Sequence, residues 1–293
     1  NGFTTGTPLC ARIVNSDQHS KDYSILADKM RPGHADYAGH VRYQGFNDYR
    51  GGGHFSGRLT APLVFAGAVA KQALAQHGIV VGSHILQIND IQEERFNPMG
   101  VSDAELAELH AKKFAVMDDT VGEKMQERIL QAKSELNSVG GVIEAIALHL
   151  PAGIGAPYFD SVESMLSHAL FSVPAVKGVE FGDGFGFAGL TGAEANDALH
   201  YVDGKVQALT NHNGGVTGGI TNGMPLVVRV AIKPTPSIAR EQQTVSLKEQ
   251  ADTTLAIVGR HDPCIVQRAV PVIEAVVAWT LWDLLLEAKK WEK

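Results

Sequence analysis

The chain has 293 residues, enough for one large domain or two small ones with a substantial core. Hydrophobic residues make up 44% and charged residues 19%, and the net charge of −7 argues against general binding to nucleic acid or anionic membranes. The two cysteines, Cys10 and Cys264, cannot build a disulfide framework and point to a reducing, cytoplasmic setting. No apolar run approaches the roughly 18 residues of a membrane span, and no signal peptide opens the chain, which starts at Asn1.

Residues 9–15 and 21–27 have the composition of strands. Residues 31–60 then form a basic island in an acidic chain. Four arginines (Arg31, Arg42, Arg50, Arg58) and three histidines (His34, His40, His54) stand against Asp36 and Asp48. The island reads mainly as loop around a triple glycine at 51–53. It runs into an apolar, alanine-rich helix over 61–76 that is expected to be buried on all faces. A Cβ-free loop before a helix start lets backbone N–H groups approach an anion, and arginines nearby suit phosphate or carboxylate.

A strand over 79–89 follows. Ser102 and Glu105 then make a capping-box pattern before a helix, and an amphipathic helix is expected over 121–136. Residues 141–150 read as a strand of period two, 161–170 as a short helix and 176–181 as a strand leading into GDGFGFAG. Residues 210–223 are a second glycine-rich loop and 224–234 a strong strand. Weaker strands fall at 244–247 and 253–258, and a long closing helix runs over 267–291, with Pro271 starting or bending it. Strands come in runs instead of alternating with helices, so the pattern fits one mixed α+β domain better than a doubly wound parallel sheet.

GDGFGFAG lacks the spacing of the dinucleotide fingerprint, and no P-loop motif occurs. No zinc-ligand spacing or nucleophile elbow is present, and the scattered aromatics offer no platform for single-stranded nucleic acid. Two readings stay open for GRHDPC at 259–264: a solvated turn, or a guanidinium clamp beside an acid–base pair. Lys233 is equally a strand-end lysine in solvent or a phosphate partner, and His34 taken alone is more often structural than chemical.

Seven blocks taken together resemble one family, chorismate synthase, over nearly the whole chain. They are RPGHADY (31–37), DYRGGG (48–53), AGAVAKQ (66–72), SVPAVKGVEFGDGF (172–185), NGGVTGGITNG (213–223), KPTPSI (233–238) and GRHDPCIVQRAVPVIEA (259–275). The resemblance implies an α+β sandwich of antiparallel sheets flanked by helices, one domain over 1–293, assembled as a homotetramer. It implies a lyase of the shikimate pathway that turns 5-enolpyruvylshikimate 3-phosphate into chorismate and phosphate by a 1,4-anti elimination with reduced FMN. Some members also reduce flavin with NAD(P)H, which the missing fingerprint neither supports nor excludes.

The implied catalytic residues are His34, beside the flavin ring, and Asp262, for proton transfer at flavin N5. The implied flavin contacts are His54, Phe55, Ser56, Pro174, Ala175, Gly218, Lys233, Pro234, Thr235, Pro236, Ser237 and Arg260, with Arg58 and Arg260 toward substrate. After the triple glycine the commoner family form is RSSARET, whereas this chain has HFSGRLT, which changes the residues at His54, Phe55 and Leu59. The family's opening segment with its GESHG motif does not occur here. The domain is therefore expected to be N-terminally incomplete, with a non-catalytic FMN- and anion-binding fragment as the alternative reading.

Overall fold

The computed structural model describes residues 2–14, 25–257 and 262–289. In chain order these form α1 (Asp36–Arg42), α2 (Thr60–Ala75), β1 (Val80–Ile88), β2 (Ile91–Gln92), α3 (Asp103–Ala111) and α4 (Asp119–Ser134). Next come β3 (Gly141–Leu148), α5 (Val162–Phe171), β4 (Val176–Phe181), the single turn α6 (Gly192–Ala195), β5 (Leu199–Val202) and β6 (Lys205–Ala208). The short pair β7 (Val216–Thr217) and β8 (Ile220–Thr221) precedes β9 (Leu226–Ile232), β10 (Gln242–Ser246), β11 (Ala251–Leu255) and α7 (Val266–Lys289).

One antiparallel sheet of order β2-β1-β3-β9-β4 carries the core, and three two-stranded hairpins stand apart from it. The fold is α+β with antiparallel sheets and helices, the class expected from the sequence. β3 is buried along its length, from Ile143 to Leu148, and so does not show the expected half-exposed period of two. Its Ile143, Ala145 and Ala147 join the main core with α7, α2 and α5, while Ile146 and Leu148 join a second cluster with Phe96, Leu106 and Leu109. With both faces covered, neither set of alternating positions needs to be polar.

The second face carries a row of charge that sequence reading passed over. His84, Glu144, Arg229 and Glu180 stand opposite one another across β1, β3, β9 and β4. His84 is fully buried, paired through Nδ1 with Glu93 and through Nε2 with Glu144 at 3.1 Å. Arg229 bonds Glu144 at 3.1 Å and Glu180 at 2.6 Å, and it also donates to the carbonyl of Gly182. Burial works against charge on His84, but hydrogen bonds to Glu144 and Glu93 outweigh it and raise its pKa. Burial would likewise raise the Glu144 pKa, yet His84, the Phe96 backbone N–H and Arg229 lower it.

Several local expectations change. Residues 9–14 are exposed and unpaired, and 25–27 make a helical turn, while 15–24 lie outside the described residues. Strand-like composition needs a neighbour to pair with. α1 forms inside the island that had read as loop. α2 buries only the stripe Gly67, Ala70 and Leu74, leaving Phe65 and Val69 at 38% exposure, because its cover comes mainly from one side, from α7. α7 is long and apolar enough by length and composition to cross a membrane, contrary to expectation. Yet 72% of that window is buried inside the protein, as befits a core helix, and Pro271 sits within it.

Candidate active site

The site forms at one end of the main sheet, where β9 leaves and β3 and β4 enter. Ile232 pairs with Gly141 on one side and Val176 on the other. The pairing continues one step further, since the Lys233 N–H donates to the Ala175 carbonyl at 2.9 Å. Topology therefore brings Pro174, Ala175 and residues 233–237 together from distant parts of the sequence. Ala175 holds a left-handed φ of 76°, a strained setting for a residue with a Cβ.

Residues 138–140, which follow the helix expected over 121–136, act as the bracket of this corner. The Ser138 hydroxyl donates to the Thr235 carbonyl at 2.7 Å, and the Val139 N–H donates to the Pro263 carbonyl at 2.8 Å. Gly140 lies so close to the next strand that a Cβ there would stand 2.3 Å from the Ile232 carbonyl and 2.9 Å from the Pro234 nitrogen. The bracket thus ties 233–235 to the segment that opens α7, which includes Asp262.

The basic island closes over the same loop. Arg31 Nη1 donates to Ser237 Oγ at 3.1 Å, Lys233 Nζ donates to the Gly33 carbonyl, and Gly33 faces Pro236. Asp36 Oδ1 lies 2.6 Å from His34 Nδ1 and 2.8 Å from Arg31 Nη2, and its Oδ2 lies 2.7 Å from Arg31 Nε. Burial alone would raise the Asp36 pKa, but Arg31 and His34 hold it far below the ordinary carboxylate range. On its other side His34 faces the glycine loop, where a Cβ at Gly52 would stand 3.7 Å from His34 Nε2 and 3.8 Å from the Ser56 side chain.

Two features of 233–237 ask for a ligand. Thr235 Oγ1 is buried with no hydrogen-bond partner among the described residues, an uncommon state for a hydroxyl. Lys233 has its pKa lowered, first by burial and then by the Lys177 charge, so this cation is held against its own cost.

The remaining candidates spread out. Phe55 turns toward α1, its Cε2 standing 2.6 Å from where a Cβ on Gly39 would be. Its ring fills space next to the helix, a packing role available to phenylalanine and not to the serine of the commoner family form. His54 and Arg58 are exposed, and the Arg58 N–H caps onto Ser56 Oγ at 3.3 Å. Gly218 belongs to a different neighbourhood. With Gly219 it makes the two-residue turn between β7 and β8, both at positive φ, and that hairpin docks on residues 155–162. Asp262 is half-buried and paired with Arg268 in the first turn of α7. Arg260 lies outside the described residues. Cys264 is no nucleophile, since burial pushes its thiol up to about 11.

A half-buried imidazole braced by a buried carboxylate, near a lysine and a hydroxyl with no partner among the described residues, makes a candidate enzyme centre of a class suited to an anionic ligand and to proton transfer. Comparison with known proteins gives that class its family. The family model for chorismate synthase matches residues 1–286. A chorismate synthase of Thermococcus gammatolerans is 48% identical over 293 residues, spanning all of this chain and 80% of that relative. One of Pyrococcus abyssi is 46% identical over 291 residues, spanning 99% of this chain and 80% of its own length. A solved crystal structure of chorismate synthase superposes with a TM-score of 0.70 at 30% identity, over 86% of this chain and 70% of that one. The chain belongs to the chorismate synthase family, the carbon–oxygen lyases of aromatic biosynthesis.

Proposed function

We propose that the chain converts 5-enolpyruvylshikimate 3-phosphate to chorismate and phosphate, with reduced FMN held at the corner between residues 31–36, 52–56 and 233–237. One observation carries this reading: Arg31, which touches His34, bonds Ser237 of a loop whose Lys233 reaches back to Gly33 and whose Thr235 hydroxyl has no hydrogen-bond partner among the described residues. The donor set fits the cofactor. A flavin bears a phosphate and ring acceptors, and the loop offers a hydroxyl, a lysine and a neighbouring guanidinium.

When bound, reduced flavin would supply electron density as phosphate departs, because phosphate and hydrogen leave from non-adjacent carbons and opposite faces, a geometry that disfavours a single concerted step. The protein's own work is to bind, orient and manage protons. Lys233, Thr235 and Ser237 hold the cofactor, with Pro234 and Pro236 stiffening the loop around them. Pro174 and Ala175 form its floor. His34 Nε2 faces the glycine loop and sets the proton on the flavin ring. Asp262, tied by Pro263 to Val139 and paired with Arg268, serves as the second proton-transfer group. Arg58 and Arg260 take the anionic substrate, with Ser56 and His54 along the flavin wall and Gly218 on the β7–β8 turn.

We place this chemistry in one catalytic domain working in the cytoplasm as a homotetramer, which accords with large apolar side chains left exposed on β5 and β6, such as Leu199, Tyr201 and Val206. The test is an anaerobic assay with reduced FMN and 5-enolpyruvylshikimate 3-phosphate, following chorismate. Turnover is expected, and His34→Ala is expected to lower it roughly 10²–10⁴-fold. A folded protein that forms no chorismate overturns the reading.

A further inference from the structure

We propose that Asp36, braced by Arg31, is a positioning residue that fixes the tautomer of His34 and aims its Nε2 nitrogen at the glycine loop. The inference rests on the reading of His34 as an acid–base group.

The contacts at His34 Nδ1 allow only one assignment of the proton. Asp36 Oδ1 stands 2.6 Å away and Arg31 Nη2 3.1 Å away. A guanidinium has donors only, so Nδ1 would have to give up its proton to accept from Arg31. An unprotonated Nδ1 would then face a carboxylate oxygen at hydrogen-bond distance, acceptor against acceptor. Asp36 is ionised, because Arg31 bonds both of its oxygens and its own backbone N–H adds a third bond at 3.1 Å. The stable arrangement has Nδ1–H donating to Asp36 while Arg31 donates to the carboxylate and not to the ring.

Nε2 therefore carries the lone pair of the neutral ring. It faces Gly52, where an added Cβ would stand 3.7 Å away, in ordinary contact. The same carboxylate-on-imidazole arrangement orients histidines in hydrolase triads. Here the brace has a second function. Arg31 Nη1 also donates to Ser237 Oγ at 3.1 Å, so one guanidinium sets both the ring orientation and its distance from the 233–237 loop. Arg31 and Asp36 are both buried, and neither can swing into solvent without leaving the other charge unpaired.

The experiment compares Asp36→Asn, His34→Ala and the double variant in the full chain, with reduced FMN and 5-enolpyruvylshikimate 3-phosphate under anaerobic conditions. Asp36→Asn is expected to lower kcat about tenfold or more while KM moves by less than about threefold. The pH profile of kcat should change as well, because Arg31 keeps its charge and loses its counter-ion. Added to His34→Ala, Asp36→Asn should change kcat by less than about twofold, since a residue acting through another has no effect once that other is gone.

If His34→Ala keeps wild-type kcat, the acid–base reading itself fails. If His34→Ala is impaired while Asp36→Asn keeps wild-type kcat and pH profile, or the two losses multiply, only the positioning role is overturned. A measurement without substitution stands beside these: ¹⁵N spectra of histidine-labelled wild-type protein should show the neutral His34 ring protonated on Nδ1. A ring protonated on Nε2 refutes the proposal even if Asp36→Asn does not fold.

Discussion

The Ser138 hydroxyl donates to the carbonyl of Thr235, 97 residues away in sequence, at 2.7 Å. Together with the hydrogen bond from Val139 to Pro263, this contact makes residues 138–140 the clamp between the 233–237 loop and the opening of α7. Neither residue carries chemistry of its own. Their effect is to hold two chemical segments at a fixed separation, and catalytic sites respond steeply to small displacements.

Ser138→Ala should therefore cost about 1 kcal/mol, the usual net worth of one hydrogen bond, and weaken FMN affinity by about fivefold as the 233–237 loop loosens. Flavin titration monitored by absorbance checks the second effect, and thermal unfolding the first. Affinity equal to wild type would show that the loop holds its shape without the clamp.

The unpartnered hydroxyl of Thr235 predicts a separation of stability from binding. Thr235→Val removes an oxygen that has no partner among the described residues, so the melting temperature of the flavin-free chain should hold or rise slightly. FMN affinity should fall by about threefold to tenfold, as expected for one lost hydrogen bond. Undiminished affinity would remove Thr235 from the cofactor contacts.

Stability should decline as pH rises above neutrality. The folded His84 pKa is raised from 6.5, despite burial, by its bonds to Glu144 and Glu93. The native state then binds more protons than the unfolded state above about pH 6.5. The stabilisation is fully present below that pH and is lost as pH climbs through the raised folded value. Glu144 works in the opposite sense, its lowered pKa giving stability above about 4.5 that is lost as pH falls through the folded value. Urea midpoints measured from pH 6 to 9 should fall for wild type and stay flatter for His84→Gln. Equal slopes would show that His84 is not the titrating group.

At Gly39 the sign of a substitution should depend on a second residue. Alanine there adds about 1 kcal/mol of helix propensity, but its Cβ would stand 2.6 Å from the ring of Phe55. Overpacking of this kind costs about 1–3 kcal/mol, so Gly39→Ala should destabilise the wild-type chain. In a Phe55→Ser background, which restores the family's commoner residue, the same change should stabilise by about 1 kcal/mol. A double-mutant cycle by denaturant unfolding reads the difference, and additive effects would mean the ring does not pack where the structure puts it.

Much of this protein is legible in one dimension. The capping box of Ser102 and Glu105, the stretch that becomes β9 and the long apolar run of α7 depend on local spacing and propensity, and each forms where its pattern lies. Seven signature blocks suffice to place the chain in its family, because backbone turns and charged groups at fixed offsets are properties of short segments.

What the sequence left open depends on partners far along the chain. Glu144 looks like the solvent-facing position of an alternating strand, yet it lies fully buried between His84 and Arg229, because α3 and Phe96 cover the face that alternation alone would give to water. Asp36 reads as one of two acids in a basic island, and only folding shows it as the brace of His34. Ser138 and Gly140 carry no sequence signal beyond following a helix, and only the meeting of β3, β9 and the opening of α7 makes them a clamp. Periodicity reports which residues can share a face. Whether that face meets water, a helix or a second charge is settled by long-range packing, and there the burial and pairing of these groups were decided.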